Sequence, residues 1–312
     1  MKKFNHFWNF KNYDLTLTCE VKAGHGISGH VFELIEYFYY FRFYHNVNCC
    51  IFFPFSSVTE EIFKKCLEKY TFTKEEIDVY NSNTFFDSDP KIIDSNIHLV
   101  VDGNLWSPVF KGIIKAKKKI FLMCNNFETL DKADIILQDS RIYEDLPNSF
   151  HYVKKILFDK FKKVNECKTN TGLIYGTTNC RKVDYDYLEE VDKEFNLDDY
   201  IVLSNKEFEV PNKFRLLRVP VDDVYSLFNT YIYTDLKGTC KMDCSPRFIA
   251  ECRYYNRDVK YFNKFWSLGL KVRKYDIENN FEKLFLTKED KIIEYLWKIL
   301  ANKKIFYSFY II

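Results

Sequence analysis

The sequence predicts an α/β protein with two halves, each built on a parallel β-sheet. Short apolar runs alternate along the chain with longer amphipathic segments, a pattern typical of strands joined by helical crossovers. The alternation stops at the polar stretch 165–170 and then starts again. A chain of 312 residues is long enough for two domains that each bury a core.

In the first half, five runs rich in β-branched and aromatic residues predict strands. Because the segments that separate these strands read as helices, we expect the strands to run parallel. The predicted strands are 14–21, 48–55, 97–101, 119–124 and 133–137. The predicted helices are 31–44, 59–70, 73–79, 108–116 and 152–164.

The second half repeats the alternation and ends in one further predicted helix. Thr287 and Asp290 match the ends of a capping box, which predicts a helix that runs to about residue 300. We therefore expect an N-terminal domain at 1–164, a second domain at 165–286, and a crossover helix with its tail at 287–312. The predicted strands are 172–175, 200–203, 214–219, 230–234 and 259–262, and the other predicted helices are 185–195 and one that starts at Ser245.

The composition is that of a folded protein and leaves the partner open. Hydrophobic residues make up 47% of the chain and charged residues 29%, which excludes a disordered chain. The net charge of +2 neither requires nor excludes a nucleic acid. The basic runs 115–119 and 154–163 are interpreted as solvated faces, with DNA phosphate contacts as the alternative. High Phe, Tyr, Lys, Asn and Ile content is the usage of an AT-rich genome, which suggests a phage, a virus or an AT-rich bacterium.

Nothing in the sequence predicts a membrane span or a bound metal. No apolar run is long enough to cross a bilayer, and the first residues do not form a secretory leader. The 10 cysteines lack metal-site spacing, so we expect reduced thiols in the cytoplasm. Asp87-Ser-Asp89 matches the D-x-D pattern that holds a divalent cation on a diphosphate, but a three-residue match is weak. The oligomeric state is left open.

The segment that ends at Glu251 reads as a loop entering a helix. Ser245 fits an N-cap, Pro246 the first helical position and Arg247 the first turn. A helix start binds phosphate through its backbone N–H groups, and Arg247 adds a fork of donors. Glu251 follows one turn later and is suited to a ribose diol. This spacing predicts a sugar-nucleotide site, with an ordinary capped helix as the alternative.

A glycine-containing turn, 24–30, follows the first predicted strand. Gly29 allows a ligand to approach the backbone closely, and the turn is expected at the carboxyl end of the strands, together with Ser28. His25 and His30 are candidate bases or phosphate contacts, with a hydrogen-bonded turn histidine as the alternative. The glycine spacing matches G-x-G-x-x-G, but no acidic residue ends the next strand, so a nicotinamide cofactor is disfavoured.

A second turn of this kind, 174–182, opens the second half. Its small and basic residues are suited to a diphosphate, because they combine backbone N–H groups with positive charge. The candidate donor-binding residues here are Gly176, Thr177, Thr178, Asn179, Arg181 and Lys182.

Two of these motifs resemble those of a known superfamily. The Ser-Pro-Arg…Glu pattern from Ser245 to Glu251 resembles the donor-binding helix of GT-B glycosyltransferases. The turn 174–182 is similar to that of phage DNA glucosyltransferases, in which a Tyr-Gly-Gly strand end precedes a basic segment. The resemblance implies two Rossmann-like domains that face each other across a cleft, with the C-terminal helix returning toward the first. It also implies a nucleotide diphosphate sugar, such as a UDP-sugar, as co-substrate, with no cofactor and no required metal.

The resemblance implies transfer of a sugar to an acceptor hydroxyl, for which an inverting enzyme needs a base. Asp102 is the first candidate, because it ends a predicted buried strand; a residue that only caps the turn is the alternative. Asn125 and Asn126 stand where the phage enzymes carry an Asp, so inverting and retaining chemistry both stay open. The acceptor leans to a hydroxymethylated pyrimidine in phage DNA, with surface polysaccharide or lipopolysaccharide as the alternative. A sugar-nucleotide 2-epimerase and a non-catalytic nucleotide-binding protein are the other hypotheses.

Overall fold

The structure is a computed structural model whose described residues form two compact units. One unit holds the described residues within 11–157 together with 285–292, and the other those within 158–284. The sequence places the corresponding boundaries at 164/165 and 286/287. The described residues are 11–19, 29–53, 58–86, 93–101, 114–122, 133–138, 149–176, 183–204, 206–218, 223–234, 246–262 and 268–292.

The first unit contains a seven-stranded sheet in the order β3-β2-β1-β4-β5-β6-β7. Every neighbouring pair is parallel, as the alternation of strands and helices predicts. The strands are β1 Lys11–Thr18, β2 Cys49–Phe53, β3 Thr84–Phe86, β4 Ile93–Val101, β5 Ile114–Leu122, β6 Ile135–Gln138 and β7 Ser149–His151. The helices are α1 Gly29–Tyr39, which continues into a π-helical turn at Tyr40–Tyr44, α2 Glu60–Leu67 and α3 Lys74–Asn83.

The helices of the first unit pack through aromatic rings. The Phe38 ring of α1 lies 4.6 Å from the Tyr80 ring of α3, and Phe63 of α2 lies 5.6 Å from Phe53 of β2. Each side chain of this size that is fully buried stabilises the fold by about 1.5–3 kcal/mol. Thr73 and Glu76 form a complete capping box that fixes where α3 begins.

The second unit contains a five-stranded parallel sheet in the order β10-β9-β8-β11-β12. Alternate residues of β8 pack on opposite faces, Leu173 in one core cluster and Ile174 in another. Burial on both faces explains why the inner strands of this sheet read as mainly apolar runs, whereas the edge strands carry exposed charged residues. The strands are β8 Thr171–Tyr175, β9 Asp199–Leu203, β10 Phe214–Leu217, β11 Thr230–Thr234 and β12 Asp258–Phe262, and the helices are α4 Tyr185–Phe195, α5 Arg247–Tyr254 and α6 Leu268–Asn279.

The mixed α/β class with two parallel sheets is confirmed, but several predicted elements are wrong. Residues 152–164 form no α-helix: Ile156 pairs with Phe285 in a β-bridge, and only Phe158–Lys160 makes a 3₁₀ turn. The Ile156 carbonyl accepts from the Leu286 N–H at 2.9 Å, so a distant backbone partner replaces the helical one. Within the predicted helix 108–116, residues 114–116 belong to β5. The sequence analysis did not find β3, β7 or α6.

The start of the C-terminal segment is bound to the first unit. Lys155 forms an ion pair with the Asp290 carboxylate, and the Tyr40 hydroxyl donates to the Asp290 carbonyl. The other Asp290 carboxylate oxygen accepts from the Thr287 N–H at 3.0 Å, one of the two contacts of the predicted capping box. The helix that this box predicts does not begin there, because residues 288–291 are not helical. The helix predicted beyond residue 292 lies outside the described residues. None of the helices in the described ranges has the length and apolar content needed to cross a bilayer.

Replacement of Gly172 by Ala is expected to destabilise the second unit by about 1–3 kcal/mol. An added Cβ would lie 2.7 Å from Tyr200 Cδ1. The Tyr200 ring has little freedom to move, because it stacks on Phe214 at 4.3 Å and its hydroxyl accepts from the Leu197 N–H at 2.9 Å. Urea denaturation of Gly172→Ala measures the loss, with Asn170→Ala in the preceding exposed turn as the control. Equal stability of the two variants would contradict the packing argument.

Candidate functional site

In each sheet, strands are first added on one side of the first strand, and later strands are added on its other side. In the first sheet β2 lies on one side of β1 and β4 on the other, and in the second β9 and β11 flank β8 in the same way. We call these the first and second switch points. In parallel α/β sheets, ligands bind beyond the carboxyl ends of the strands at such a point.

Topology places two helix starts at these carboxyl edges. Because α1 connects β1 to the parallel strand β2, it must run back toward the amino edge. The same holds for α5 between β11 and β12. At the far end of α5, the Asp258 N–H donates to the Asn229 carbonyl, and Asn229 directly precedes β11. Gly29 and Arg247, the first residues of α1 and α5, therefore lie on the sides of the sheets that the sequence predicts for the sites.

His30 is the second residue of α1 and contacts buried charges. Its Nδ1 lies 3.4 Å from Glu33 Oε2, and Glu33 Oε1 lies 3.6 Å from Lys154 Nζ. The side chains of Glu33 and Lys154 are each 9% exposed, against 23% for His30. The sequence analysis missed Glu33 and Lys154, since Lys154 was read as part of a solvated basic run. Three other predicted residues, His25, Ser28 and Asp102, lie outside the described residues, as do Asn125 and Asn126.

A second histidine, His98 of β4, is fully buried near the first switch point. Its Nε2 shares a hydrogen bond of 2.8 Å with Thr18 Oγ1, at the end of β1. Its Nδ1 has no hydrogen-bond partner within the described part of the chain. Burial, with a smaller contribution from the Lys119 charge, lowers the pKa of His98 to about 3. His98 is therefore neutral at physiological pH.

At the second switch point, Gly176 follows directly after β8. Its N–H donates to the Leu203 carbonyl at 2.8 Å. A Cβ at this position would lie 2.5 Å from Val202 Cγ1, so a glycine is needed for packing whether or not a ligand binds. Thr234, the last residue of β11, is 1% exposed, and its hydroxyl is among the buried groups without a partner in the described ranges. The candidate residues Thr177, Thr178, Asn179, Arg181 and Lys182 lie outside the described residues.

The start of α5 differs by one residue from the prediction. Pro246 has a helical φ of −62° but an extended ψ of 91°, so it precedes the helix and Arg247 is the first helical residue. The Pro246 backbone thus occupies the N-cap position, without a side-chain hydrogen bond to the helix. Ser245, the predicted N-cap, lies outside the described residues.

Arg247 and Glu251 form a buried ion pair on α5. Arg247 Nε donates to Glu251 Oε1 at 2.6 Å, and the Tyr225 hydroxyl donates to Glu251 Oε2. Burial and then the Glu251 charge raise the pKa of Tyr225 well above its ordinary value, so this hydroxyl keeps its proton. The Arg247 side chain is 11% exposed and that of Glu251 4%. The Glu251 carboxylate therefore fixes the direction of the Arg247 side chain.

The neighbours of this ion pair were not predicted from the sequence. The Phe161 ring centre lies 6.0 Å from Arg247 Cζ. The Tyr225 carbonyl accepts from Arg257 Nε at 2.8 Å, which anchors the short 3₁₀ turn that carries Tyr225. Neither Phe161 nor Tyr225 belongs to a local motif with Glu251, so sequence spacing carries no signal for the contacts.

The lysines of the two basic runs differ in exposure: Lys115, Lys117, Lys162 and Lys163 are exposed, whereas Lys154 is buried and Lys155 half-buried. Lys115 and Lys117 lie in the amino-terminal half of β5, away from the carboxyl edge of the sheet. In the second run, Lys154 and Lys155 pair with the carboxylates of Glu33 and Asp290. Among the described residues, no cluster of three or more His, Cys, Asp or Glu side chains is arranged to hold a metal ion. Asp87 and Asp89 lie outside that part of the chain.

The buried, neutral His98 is expected to make stability depend on pH. As the pH falls below about 6.5 the unfolded state binds a proton on this histidine, whereas the folded state does so only near pH 3. This difference lowers the free energy of unfolding by up to about 1.4 kcal/mol per pH unit across that window. Urea denaturation between pH 6.5 and 4.5 should show a shallower dependence in His98→Gln. An unchanged slope in the variant would contradict this account.

No protein-family model, curated protein or solved structure matches the chain.

Proposed function

We propose that the protein is a GT-B-type glycosyltransferase that moves a sugar from a nucleotide diphosphate sugar to an acceptor hydroxyl. The observation that carries the proposal is the start of α5 at the second switch point. There a helix N-terminus and an arginine held by a buried carboxylate lie at the carboxyl edge of a parallel sheet. Parallel α/β sheets bind nucleotides and phosphates at such edges.

In this proposal the second unit binds the donor. The helix start at Arg247 carries a positive dipole end, and the guanidinium adds charge and directional donors for a diphosphate. Glu251 contributes by holding Arg247 rather than through the ribose contact that the spacing predicts. The reason is that the Glu251 side chain is only 4% exposed and both of its oxygens already accept hydrogen bonds. The basic turn 177–182 and Ser245 complete the proposed donor site.

The proposed acceptor-side groups come from the N-terminal half of the sequence. His25, His30 and Asp102 are the candidates to take the proton from the acceptor hydroxyl as the anomeric carbon is attacked. The charge that develops on the departing diphosphate is stabilised by Arg247 and by the helix start, a role that cationic groups and backbone dipoles fill without a metal ion. For the acceptor, a hydroxymethylated pyrimidine in DNA rests on the composition and on the 174–182 motif. The described lysines add no support to that choice.

Replacement of Arg247 by Lys is expected to weaken donor binding about 10-fold or more. Lysine keeps the charge and a partner for Glu251, so the fold is retained, but it loses the planar fork that binds phosphate. Thermal shift followed by calorimetry with UDP, GDP, ADP, CDP and their glucose conjugates measures this. Arg253→Lys, an exposed change on the same helix, is the control and should bind as the wild type does. Equal affinity in all three proteins would remove Arg247 from the donor site.

The same reagents separate the rival activities. Conversion of the sugar nucleotide to its 2-epimer without any acceptor would identify an epimerase. Binding of a nucleotide without turnover on any acceptor or on water would identify a non-catalytic protein. Failure of every nucleotide to bind would overturn the proposed function as a whole.

If DNA is the acceptor, the chain should bind duplex DNA in a salt-dependent way, because phosphate contacts release counterions. The measurement is fluorescence anisotropy with a duplex that carries 5-hydroxymethylcytosine, titrated from low to physiological salt, together with transfer of radiolabelled sugar to that duplex. An unmodified duplex is the control: it should bind with a similar salt slope but accept no sugar. Absence of DNA binding at low salt would exclude the DNA acceptor and favour a polysaccharide.

A further inference from the structure

Within the second unit, a buried chain of hydrogen bonds leads from the short turn Val224–Ser226 to the start of α5. The Tyr225 hydroxyl donates to Glu251 Oε2, and Glu251 Oε1 accepts from Arg247 Nε at 2.6 Å. Tyr225 is 6% exposed, and the side chains of Glu251 and Arg247 are 4% and 11% exposed. Tyr225 is thus linked through the carboxylate to the arginine that is proposed to bind the donor.

Hydrogen bonds to both oxygens fix the plane of the Glu251 carboxylate. The terminal torsion of a glutamate side chain is broad and weakly restricted, so a carboxylate that is held at one oxygen can still turn. A donor on the second oxygen prevents that rotation. Because a guanidinium binds a carboxylate in a directional way, a fixed carboxylate plane also fixes the orientation of the Arg247 guanidinium.

Backbone and ring contacts hold Tyr225 itself in place. Its carbonyl accepts from Arg257 Nε at 2.8 Å, and Arg257 Nη2 donates to the Asn165 carbonyl at 2.8 Å. The Tyr225 ring stacks on the Phe248 ring, with 5.0 Å between the ring centres, and lies 4.6 Å from the Tyr255 ring. The hydroxyl therefore has a fixed position relative to α5, in which Phe248 lies.

The two neighbouring tyrosines use their hydroxyls differently. The Tyr255 hydroxyl donates to the Lys162 carbonyl at 3.1 Å, so its O–H is used on the backbone. Burial and then the Glu251 charge raise the pKa of Tyr225 well above its ordinary value, so this phenol keeps the proton that it donates to the carboxylate. Tyr225 and Tyr255 therefore form a matched pair for a test, since their rings are in contact and their hydroxyls have different acceptors.

We propose that Tyr225 is a positioning residue for Arg247, and that its hydroxyl sets the affinity for the nucleotide diphosphate by holding the Glu251 carboxylate in one plane. This inference rests on the proposed function, because it concerns the arginine that is assigned there to the diphosphate. It adds a residue that acts on donor binding from beneath the site, through Glu251 rather than through a contact with the nucleotide.

A positioning role and a packing role predict different couplings between Tyr225 and Arg247. If the Tyr225 hydroxyl only stabilised the fold, its loss would change donor affinity by the same factor whether residue 247 is Arg or Lys. If it acts through the orientation of the guanidinium, its loss has little effect once the planar fork of Arg247 has been replaced.

The first measurement uses NMR of the Arg247 Nε–H group in the full chain without a ligand. Tyr225→Phe removes the hydroxyl and keeps the ring, so the aromatic packing is retained. We expect the order parameter of this N–H bond to fall from about 0.85, the value of a rigid group, to below about 0.6. Tyr255→Phe is the control and should leave the order parameter unchanged. Arg247→Lys identifies the signal, because the signal vanishes in that variant.

The second measurement is calorimetry with whichever of UDP-glucose, GDP-glucose, ADP-glucose and CDP-glucose binds the wild type most tightly. Tyr225→Phe should weaken binding about 5-fold, within the contribution of one hydrogen bond, whereas Tyr255→Phe should bind as the wild type does. In an Arg247→Lys background, Tyr225→Phe should change the affinity less than about 2-fold, the limit within which independent changes add.

The two measurements fail separately. An unchanged order parameter in Tyr225→Phe overturns the positioning role, whereas nucleotide binding by the wild type would still support the proposed function. An undiminished affinity in Tyr225→Phe, or an equal loss in the Arg and Lys backgrounds, also overturns the positioning role. A lowered order parameter in a protein whose wild type binds none of the four sugar nucleotides overturns the proposed function, and with it the role of Tyr225 in donor binding.

Discussion

The parallel pairing of β1 and of β8 with both of their neighbours is the constraint on which the rest of the structure depends. Parallel strands need a crossover after each strand, so every helix between them starts at the same edge. Orphan N–H groups and positive dipole ends are thereby collected at one side of each sheet. The candidate residues on α1 and α5 lie on that side because of the topology, before any side chain is considered.

At both helix starts, a basic side chain contacts a buried glutamate one helical turn later. On α1 a histidine precedes a buried glutamate by three residues, and on α5 an arginine precedes a buried glutamate by four. In each case the carboxylate lies one turn behind the basic group and has a further partner, Lys154 in one unit and Tyr225 in the other. A buried carboxylate with two partners holds the basic group more firmly than a solvated one, because surface ion pairs contribute little.

Strand positions are predicted best from the sequence where a strand is buried on both faces. The strands β8, β9 and β11 are buried on both faces and appear as uninterrupted apolar runs, so their positions agree with the structure to within one residue. The strands β3 and β7 are three residues long and have no repeating pattern to detect. In α6, the charged residues Arg273 and Asp276 are buried. The buried face of this helix therefore lacks the apolar pattern from which a helix is predicted. The ion pair between Glu33 and Lys154 joins residues that are far apart in the chain, so local spacing does not predict it.

The return of residues 285–292 to the first unit has a consequence for synthesis on the ribosome. The Ile156 carbonyl, the Tyr40 hydroxyl and the Lys155 ammonium group find their partners at Leu286 and Asp290. Those partners emerge only after the whole second unit has been translated, a delay on the order of ten seconds. Until then the Ile156 carbonyl, the Tyr40 hydroxyl and the Lys155 ammonium group lack these partners, so the first unit cannot reach its final set of contacts before the second unit has been synthesised. Premature termination before residue 285 would deprive the first unit of these contacts as well as truncating the second.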